Sequence, residues 1–143
     1  MPTANEIRAL LLKSNELFLK CGANNVTKAH LREIFAEDVE IHMPFGMPPA
    51  VGIDALHRRC ELEAELFEHC EFEAKEPIIA SNSSATYMSA TVKDLKNDDF
   101  FGFEVIEIAE FNEDNKISKK MLYIELEALE HAFDKETLAK LFV

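Results

Sequence analysis

The stretch Phe35–Gly52, FAEDVEIHMPFGMPPAVG, combines the end of a helical run, a strand and a proline-rich turn in eighteen residues. Within it, Val39–Met43 alternates apolar and polar side chains, which predicts a strand whose apolar row points inward. His42 has outward parity on this strand, which argues against its being a catalytic base. Pro44 lacks a backbone donor, so the strand must end, bulge or lie at an edge there. Gly52 then leads into a new helical pattern, and the other elements can be arranged around this segment.

Outward from this segment, the chain begins with helices and continues as strands. Apolar residues recur at helical spacing over 5–21, in a short run after the N-cap candidate Thr27, and over 53–68. From Glu71 onward the apolar period is two, and turn residues separate the runs. Helices followed by antiparallel strands predict an α+β fold in one domain spanning 1–143. The predicted strands after Val39–Met43 are Phe72–Ile79, Ala85–Lys93, Phe100–Phe111 and Ile117–Leu126, with a short helix over Leu129–Val143.

The charge of the chain restricts its partners. A net charge of −12 at pH 7 argues against binding to nucleic acid or to an anionic membrane surface, because phosphate groups would be repelled. No apolar run approaches the roughly 20 residues of a membrane helix, and the N-terminus lacks the basic-then-apolar pattern of a signal peptide. We therefore expect a cytoplasmic protein with neither a nucleic acid nor a membrane as its partner.

The cysteines, histidines and glycines do not indicate a cofactor. Cys21, Cys60 and Cys70 are odd in number and lack the spacing of a metal site, so we interpret them as reduced thiols. The histidines are scattered, and the 4 glycines form no phosphate-binding loop. We predict neither a metal nor another cofactor. His57 and Cys60 are three residues apart and could form a thiolate pair, but such spacing arises easily by chance.

One carboxylate interrupts an otherwise apolar row in the strand Phe100–Phe111. Glu107 shares that row with positions 101, 103, 105, 109 and 111, which are all apolar. If the row lines the interior, burial favours the neutral acid, which can donate a hydrogen bond, and such groups cluster at functional sites. Alternatively, the strand lies at an edge and Glu107 reaches water, or Glu107 pairs with a lysine such as Lys119 or Lys120. The pattern alone does not decide between these arrangements.

Two further polar features fall within predicted helices. Ser14 interrupts the apolar stripe of the first helix and faces the core or a cavity. Its simplest interpretation is a hydroxyl group that bonds back to its own helix. Glu61, Glu63, Glu65 and Glu68 occur close together in the third helix and are typical of a solvated face.

Several motifs of this chain occur together in one known family. They are FAEDV at Phe35–Val39, PFGMPP at Pro44–Pro49 with Gly52, EVIEI at Glu104–Ile108, and FNE and KI within Phe111–Ile117. With them, nearly the whole chain resembles the ketosteroid isomerase and SnoaL-like branch of the nuclear transport factor 2-like superfamily. The resemblance implies a cone-shaped, curved antiparallel sheet wrapped around three N-terminal helices (the cystatin-like roll), with an apolar pocket at its mouth. It also implies a homodimer formed through the sheet.

The resemblance implies positions for three site residues. In the isomerases, a carboxylate base directly precedes the proline-phenylalanine-glycine turn, a tyrosine comes from the first helix, and a protonated carboxyl group comes from the penultimate long strand. These positions fall here at Met43, at Ser14 or a neighbour, and at Glu107, which is one methylene longer than the family's aspartate. Methionine cannot accept a proton, and a positioned general base contributes roughly 10²–10⁴ in rate. Ordinary steroid isomerisation is therefore not expected of this chain.

An apolar pocket with Glu107 as its polar group has the common layout of a small-ligand site. One hypothesis is an isomerase, cyclase or lyase that acts on a cyclic or polyketide-like substrate with Glu107 as acid or base. A second is a protein that binds a hydrophobic ligand without chemistry. A third is a dimerisation module whose cavity is filled by its own 11 phenylalanines. The predicted pocket residues are Met43, Cys60, Met88, Ala90, Phe103, Val105 and Ile124.

Overall fold

The computed structural model describes residues 1–19, 26–43, 46, 48–125, 127, 128, 130, 135, 136 and 139. Cys21, Pro44 and Phe45 lie outside these residues, as do most positions of the helix expected over Leu129–Val143.

Helix α2 shows how local sequence determines a helix start. The backbone N–H of His30 donates to the Thr27 hydroxyl at 3.1 Å, and the Thr27 N–H donates to Nδ1 of His30 at 3.3 Å. This reciprocal cap satisfies two donors at the helix start and confirms Thr27 as the N-cap. Among the described residues, no helix has the length and apolar character needed to cross a membrane. The helices whose bounds are described are α1 (Ala4–Leu19), α2 (Lys28–Ile34) and α3 (Ile53–Leu66), and the described residues 127, 128, 130, 135, 136 and 139 are also helical.

Helix α3 is bounded by two backbone features. Gly52 precedes it at φ +90°, a conformation that glycine adopts without a steric cost, and its N–H donates to the Val39 carbonyl at 2.8 Å. Phe67 follows the helix with extended dihedrals, φ −135° and ψ 149°. The helix predicted over 53–68 therefore ends at Leu66, and the next strand begins directly at Phe67.

In the described residues, seven strands form one strongly curled sheet, a half-barrel that together with the helices confirms the predicted α+β cone. The strands are β1 (Phe35–His42), β2 (Ala50–Val51), β3 (Phe67–Ala74), β4 (Ile78–Ala80), β5 (Ser83–Asp94), β6 (Asp99–Phe111) and β7 (Ile117–Ile124). Their order along the sheet is β2-β1-β7-β6-β5-β3, and β4 pairs with β5.

Two of the predicted strands differ from the structure by more than two residues, whereas the bounds of β5, β6 and β7 differ by one or two. The strand expected over Phe72–Ile79 is divided into β3 and β4. Pro77 lies in the gap between them, and a proline cannot donate a ladder hydrogen bond. Strand β1 begins at Phe35 rather than Val39, because Phe35 is already extended and pairs with Ile117.

The sheet is mixed, so the prediction of a wholly antiparallel sheet is wrong at one pair of strands. Strand β1 runs parallel to β7, with Ile41 opposite Lys120. The other strand pairs among the described residues are antiparallel. A parallel pair needs a long crossover connection, and here the chain from β2 to β6 provides it. Alternation within a strand does not report the direction of its neighbour.

The main core lies between the helices and the inner face of the sheet. Fully burying each large apolar side chain stabilises such a core by about 1.5–3 kcal/mol. The predicted alternation along β5 and β6 is confirmed, since one row of each strand is buried and the intervening residues are more exposed. The buried members are Ser84, Thr86, Met88, Ala90, Val92 and Asp94 in β5, and Val105, Glu107, Ala109 and Phe111 in β6.

Candidate functional site

A cavity of about 150 Å³ lies between helices α1 and α3 and the inner face of the sheet. An apolar cavity of about this size is large enough for a ligand of one benzene-like ring. Most of its lining is apolar, contributed by α1, α3, β1, β3, β5, β6 and β7. The polar or charged lining residues are Asn15, Arg59, Glu63, Glu107 and Lys120.

Every predicted pocket residue lies on the wall of this cavity. Strand alternation accounts for most of them, because β5, β6 and β7 turn alternate side chains inward. The rings of Phe101 and Phe103 stack along the wall with centroids 5.5 Å apart and leave space beside Glu107. Within the part of the chain that the structure describes, the phenylalanines therefore do not fill the cavity. The predicted residues, whose role in ligand binding stays a prediction, are Met43, Cys60, Met88, Ala90, Phe103, Val105 and Ile124.

Glu107 is both inward-facing and paired with a lysine. Its side chain is 3% exposed, and its Oε2 lies 3.0 Å from Nζ of Lys120, which is equally buried. Glu107 is opposite Leu122 and Lys120 is opposite Ala109, so the ion pair runs diagonally between β6 and β7. Of the arrangements that the sequence left open for Glu107, the structure has an inward-facing side chain paired with Lys120.

Lys120 also links the ion pair to helix α1. Its Nζ donates to the Ser14 hydroxyl at 3.3 Å and lies 4.5 Å from the centre of the Phe18 ring. Ser14 is fully buried. The interpretation that its hydroxyl bonds back to its own helix is therefore wrong, because that hydroxyl accepts from a lysine 106 residues away. Ser14 supports Lys120 from behind the cavity wall.

Met43 lies on the cavity wall at the end of β1, at the position where the resemblance expects a base. Its carbonyl accepts a hydrogen bond from Nη2 of Arg59, which reaches across from α3. Arg59 is 5% exposed, and this burial lowers the pKa of its guanidinium. The thioether offers no proton acceptor, so any base in this cavity must come from another residue.

Glu63 is a functional candidate that the sequence interpretation missed. It is 8% exposed and lines the cavity, whereas Glu61, Glu65 and Glu68 are exposed as expected. Burial raises the pKa of Glu63 to about 7, while the nearby charges of Arg59 and Lys120 act in the opposite direction. The available signal was helical spacing, since position 63 follows Cys60 by three residues and precedes Phe67 by four. The prediction of a solvated face is wrong for Glu63.

The histidines do not build a second site among the described residues. Nε2 of His57 lies 3.1 Å from the Val26 carbonyl and its Nδ1 lies 3.0 Å from Glu61, so both ring nitrogens have partners other than Cys60. His42 pairs with Glu40 on the same strand. In the part of the chain that the structure describes, no three histidine, cysteine or acidic side chains are grouped as a metal would require.

Comparisons with known proteins agree with this architecture. The family model of the SnoaL-like domain matches residues 18–120. A protein described as a SnoaL-like polyketide cyclase, from Jannaschia sp. CCS1, superposes with a TM-score of 0.77 at 13% identity, covering 94% of this chain and 96% of that one. A protein described as an isomerase, from Rhodopseudomonas palustris, superposes with a TM-score of 0.71 at 11% identity over 86% and 95% of the two chains.

A third similar structure is TsrD from Streptomyces laurentii, with a TM-score of 0.70, 12% identity and coverage of 92% and 96%. Among curated proteins, none matches the sequence. At such low identities the solved structures show the shared fold alone.

Proposed function

Because the chain belongs to the SnoaL-like domain family, we propose that it binds a small cyclic, mainly apolar ligand and catalyses an isomerase- or cyclase-type proton transfer on it. The observation that supports this proposal is the cavity itself, which is apolar except for a few charged groups. A concave, mainly apolar lining with a small number of polar groups is typical of a small-molecule site.

The Glu107–Lys120 pair is the polar end of the proposed site. The Lys120 ammonium can donate a hydrogen bond to a ligand oxygen and stabilise negative charge that develops there, a strong effect where water is excluded. Glu107, held at 3.0 Å from that ammonium, is the proposed acid/base residue on this wall. Ser14 positions Lys120 from the opposite side. The arrangement suits a ligand that carries a carbonyl or hydroxyl oxygen.

The first test uses one-ring probes. We expect cyclohexanone, phenol and toluene at millimolar concentration to raise the melting temperature by a few degrees, because a ligand that binds only the folded state stabilises it. Ala90→Leu should abolish the shift by filling the cavity, whereas Thr91→Leu, on the opposite face of the same strand, should retain it. Ligand-induced shifts of equal size in the wild type and Ala90→Leu would contradict a cavity site.

Turnover separates the enzyme from a second candidate function. Nuclear magnetic resonance in D₂O should show deuterium entering cyclohexanone beside its carbonyl group, with slower exchange in Glu107→Gln at similar ligand affinity. Recovery of unexchanged ketone from a protein that binds it would favour a non-catalytic ligand-binding protein instead. Met43 at the expected base position is the observation that favours this alternative.

We also propose that two copies of the chain associate through the outer face of the sheet. Tyr87, Ile106 and Tyr123 stand side by side across β5, β6 and β7 and are 42%, 48% and 44% exposed. A contiguous exposed apolar row of this kind is typical of a protein interface. The cytoplasmic location expected from the sequence stays a prediction, with which the free Cys60 thiol is compatible.

A further inference from the structure

The polar groups of the cavity fall into two sets with different bonding. Glu107, Lys120 and Ser14 bond to one another at 3.0 and 3.3 Å. Glu63 differs, because no hydrogen bond or ion pair from another described residue reaches its carboxylate. It is nevertheless 8% exposed and forms part of the cavity wall. Because the Glu63 carboxylate is open to the cavity, a donor on a bound ligand could form a hydrogen bond with it.

Glu63 is also placed so that it could replace the carboxylate base that the resemblance implies at the position of Met43. It projects from α3, whereas Glu107 and Lys120 project from the sheet. A ligand in the cavity would therefore have one carboxylate on the helix side and an ammonium on the sheet side. Met43 also lines the cavity, but its thioether does not accept a proton.

The electrostatic surroundings of Glu63 suit a group that accepts and releases a proton. Burial raises the pKa of Glu63 to about 7, so charged and neutral forms are both populated near neutral pH, as general base catalysis requires. The other titratable groups around the cavity are Arg59 and Cys60 from the same helix, Glu107 from β6 and Lys120 from β7. Arg59 and Lys120 favour the charged form of Glu63 and prevent a larger rise of its pKa.

We propose that Glu63 is the residue that removes a proton from the ligand, in place of the carboxylate missing at Met43, while Glu107 acts with Lys120 at the ligand oxygen. The proton comes from a hydroxyl group or an acidic C–H of a one-ring ligand. In the reactive case, the proton of a C–H beside a carbonyl moves to the Glu63 carboxylate. The C–H electron pair forms an enolate, whose oxygen faces the Lys120 ammonium. Return of the proton from Glu63 to the original carbon regenerates the ketone, and its return to the far carbon of a conjugated enolate completes an isomerisation. Exchange of the Glu63 proton with D₂O before its return places deuterium on the ligand. This inference rests on the proposed function, because it needs a ligand in the cavity.

The test compares two probes that differ at one position of the ring, phenol and toluene. We expect phenol affinity to increase about fivefold between pH 5.5 and pH 8.5, because a charged acceptor binds a hydroxyl donor more strongly than a neutral one. Toluene affinity should stay constant or fall over the same range. Glu63→Gln should remove the pH dependence for phenol, while Glu61→Gln, an exposed position on the same helix, should keep it. Dissociation constants come from nuclear magnetic resonance titrations.

Deuterium exchange into cyclohexanone gives a second readout. Loss of a positioned base should slow the exchange by roughly 10²-fold or more in Glu63→Gln and leave it unchanged in Glu61→Gln. If phenol and toluene bind with the same pH profile in the wild type, Glu63 is not the acceptor, although the cavity function stands. If neither probe binds, the proposed function fails and this inference fails with it. A folded Glu63→Leu variant that still exchanges at the wild-type rate would also overturn the role of Glu63.

Discussion

Glu63 and Glu107 are residues of one type on two walls of one cavity, and their neighbours give them different properties. Glu107 has an ammonium 3.0 Å away that offsets the cost of its burial. Glu63 has the charges of Arg59 and Lys120 nearby but no hydrogen-bond donor among the described residues, so the cost of burial dominates and raises its pKa to about 7.

Glu63 should lower the stability of the folded protein as the pH rises. The pKa in the folded state, about 7, exceeds the usual value of 4.5, so the folded protein binds this proton more tightly than the unfolded chain does. The penalty grows from about pH 4.5 to about pH 7 and is complete above that range, where it reaches about 3 kcal/mol. We expect Glu63→Gln to increase the free energy of unfolding by about 2 kcal/mol more at pH 8 than at pH 5.5, as urea denaturation would show.

Glu61→Gln is the matched control for this measurement, since Glu61 is exposed on the same helix. The same stabilisation by Glu63→Gln at both pH values would contradict a raised pKa in the folded state.

At the scale of single residues, the sequence could predict Glu107 but not Glu63. Glu107 stood out because period-two alternation separated it from its polar neighbours. Glu63 belongs to a run in which every second residue is acidic, and such a run is typical of solvated surface even where helical spacing turns one member inward. The sequence indicates Lys119 and Lys120 equally as partners of Glu107, because they are adjacent and have the same side chain. The register of β7 in the sheet decides which of the two faces inward.

At the scale of elements, the Glu107–Lys120 pair couples strands β6 and β7 inside the cone. Burying two charges is costly unless both partners are present, and removing one partner leaves an uncompensated charge. The ion pair therefore adds to the coupling between β6 and β7 that their backbone hydrogen bonds already provide.

Lys120→Met should destabilise the protein by about 3–5 kcal/mol, because Glu107 would be left buried without its cation. The double variant Lys120→Met with Glu107→Gln should recover most of that loss, since neither charge remains. Urea denaturation of the wild type, both single variants and the double variant measures the coupling. Lys119→Met, next to it in the chain on the outer side of β7, should change stability by less than about 0.5 kcal/mol. A double variant as unstable as the sum of the two single variants would refute the coupling.

The element boundaries show what local patterns can and cannot indicate. Alternation predicted β5, β6 and β7 to within a few residues because each strand has one row against the core. The break between β3 and β4 depends on Pro77, whose effect the apolar pattern around it concealed. The early start of β1 at Phe35 depends on its pairing with Ile117 in the last described strand, a contact that no local window contains.

At the scale of the whole molecule, one face of the sheet encloses the cavity and the other carries the exposed row Tyr87–Ile106–Tyr123. If two copies associate through this row, both inner faces remain free for ligands. The resemblance to a family that forms dimers through the sheet pointed to this surface, and the register of β5, β6 and β7 identifies its central residue as Ile106.

Ile106→Glu should convert a dimer into a monomer, because each interface would then bury two additional carboxylates close to each other. Sedimentation equilibrium measures the change. Ile78→Glu, on β4 and 74% exposed, should leave the assembly state unchanged. A wild-type protein that sediments as a monomer, or an Ile106→Glu variant that still dimerises, would contradict the proposed interface.

The parallel contact between β1 and β7 has a consequence for biosynthesis. A ribosome that has translated β1 must produce the chain through β6 before the partner strand emerges from its exit tunnel. Until then, one flank of β1 exposes unpaired peptide groups, the kind of surface on which nascent polypeptides misassociate and which chaperones shield. Emergence of Ile117–Ile124 supplies both the missing strand and the cation for Glu107, so backbone closure and neutralisation of the buried carboxylate occur in one late step.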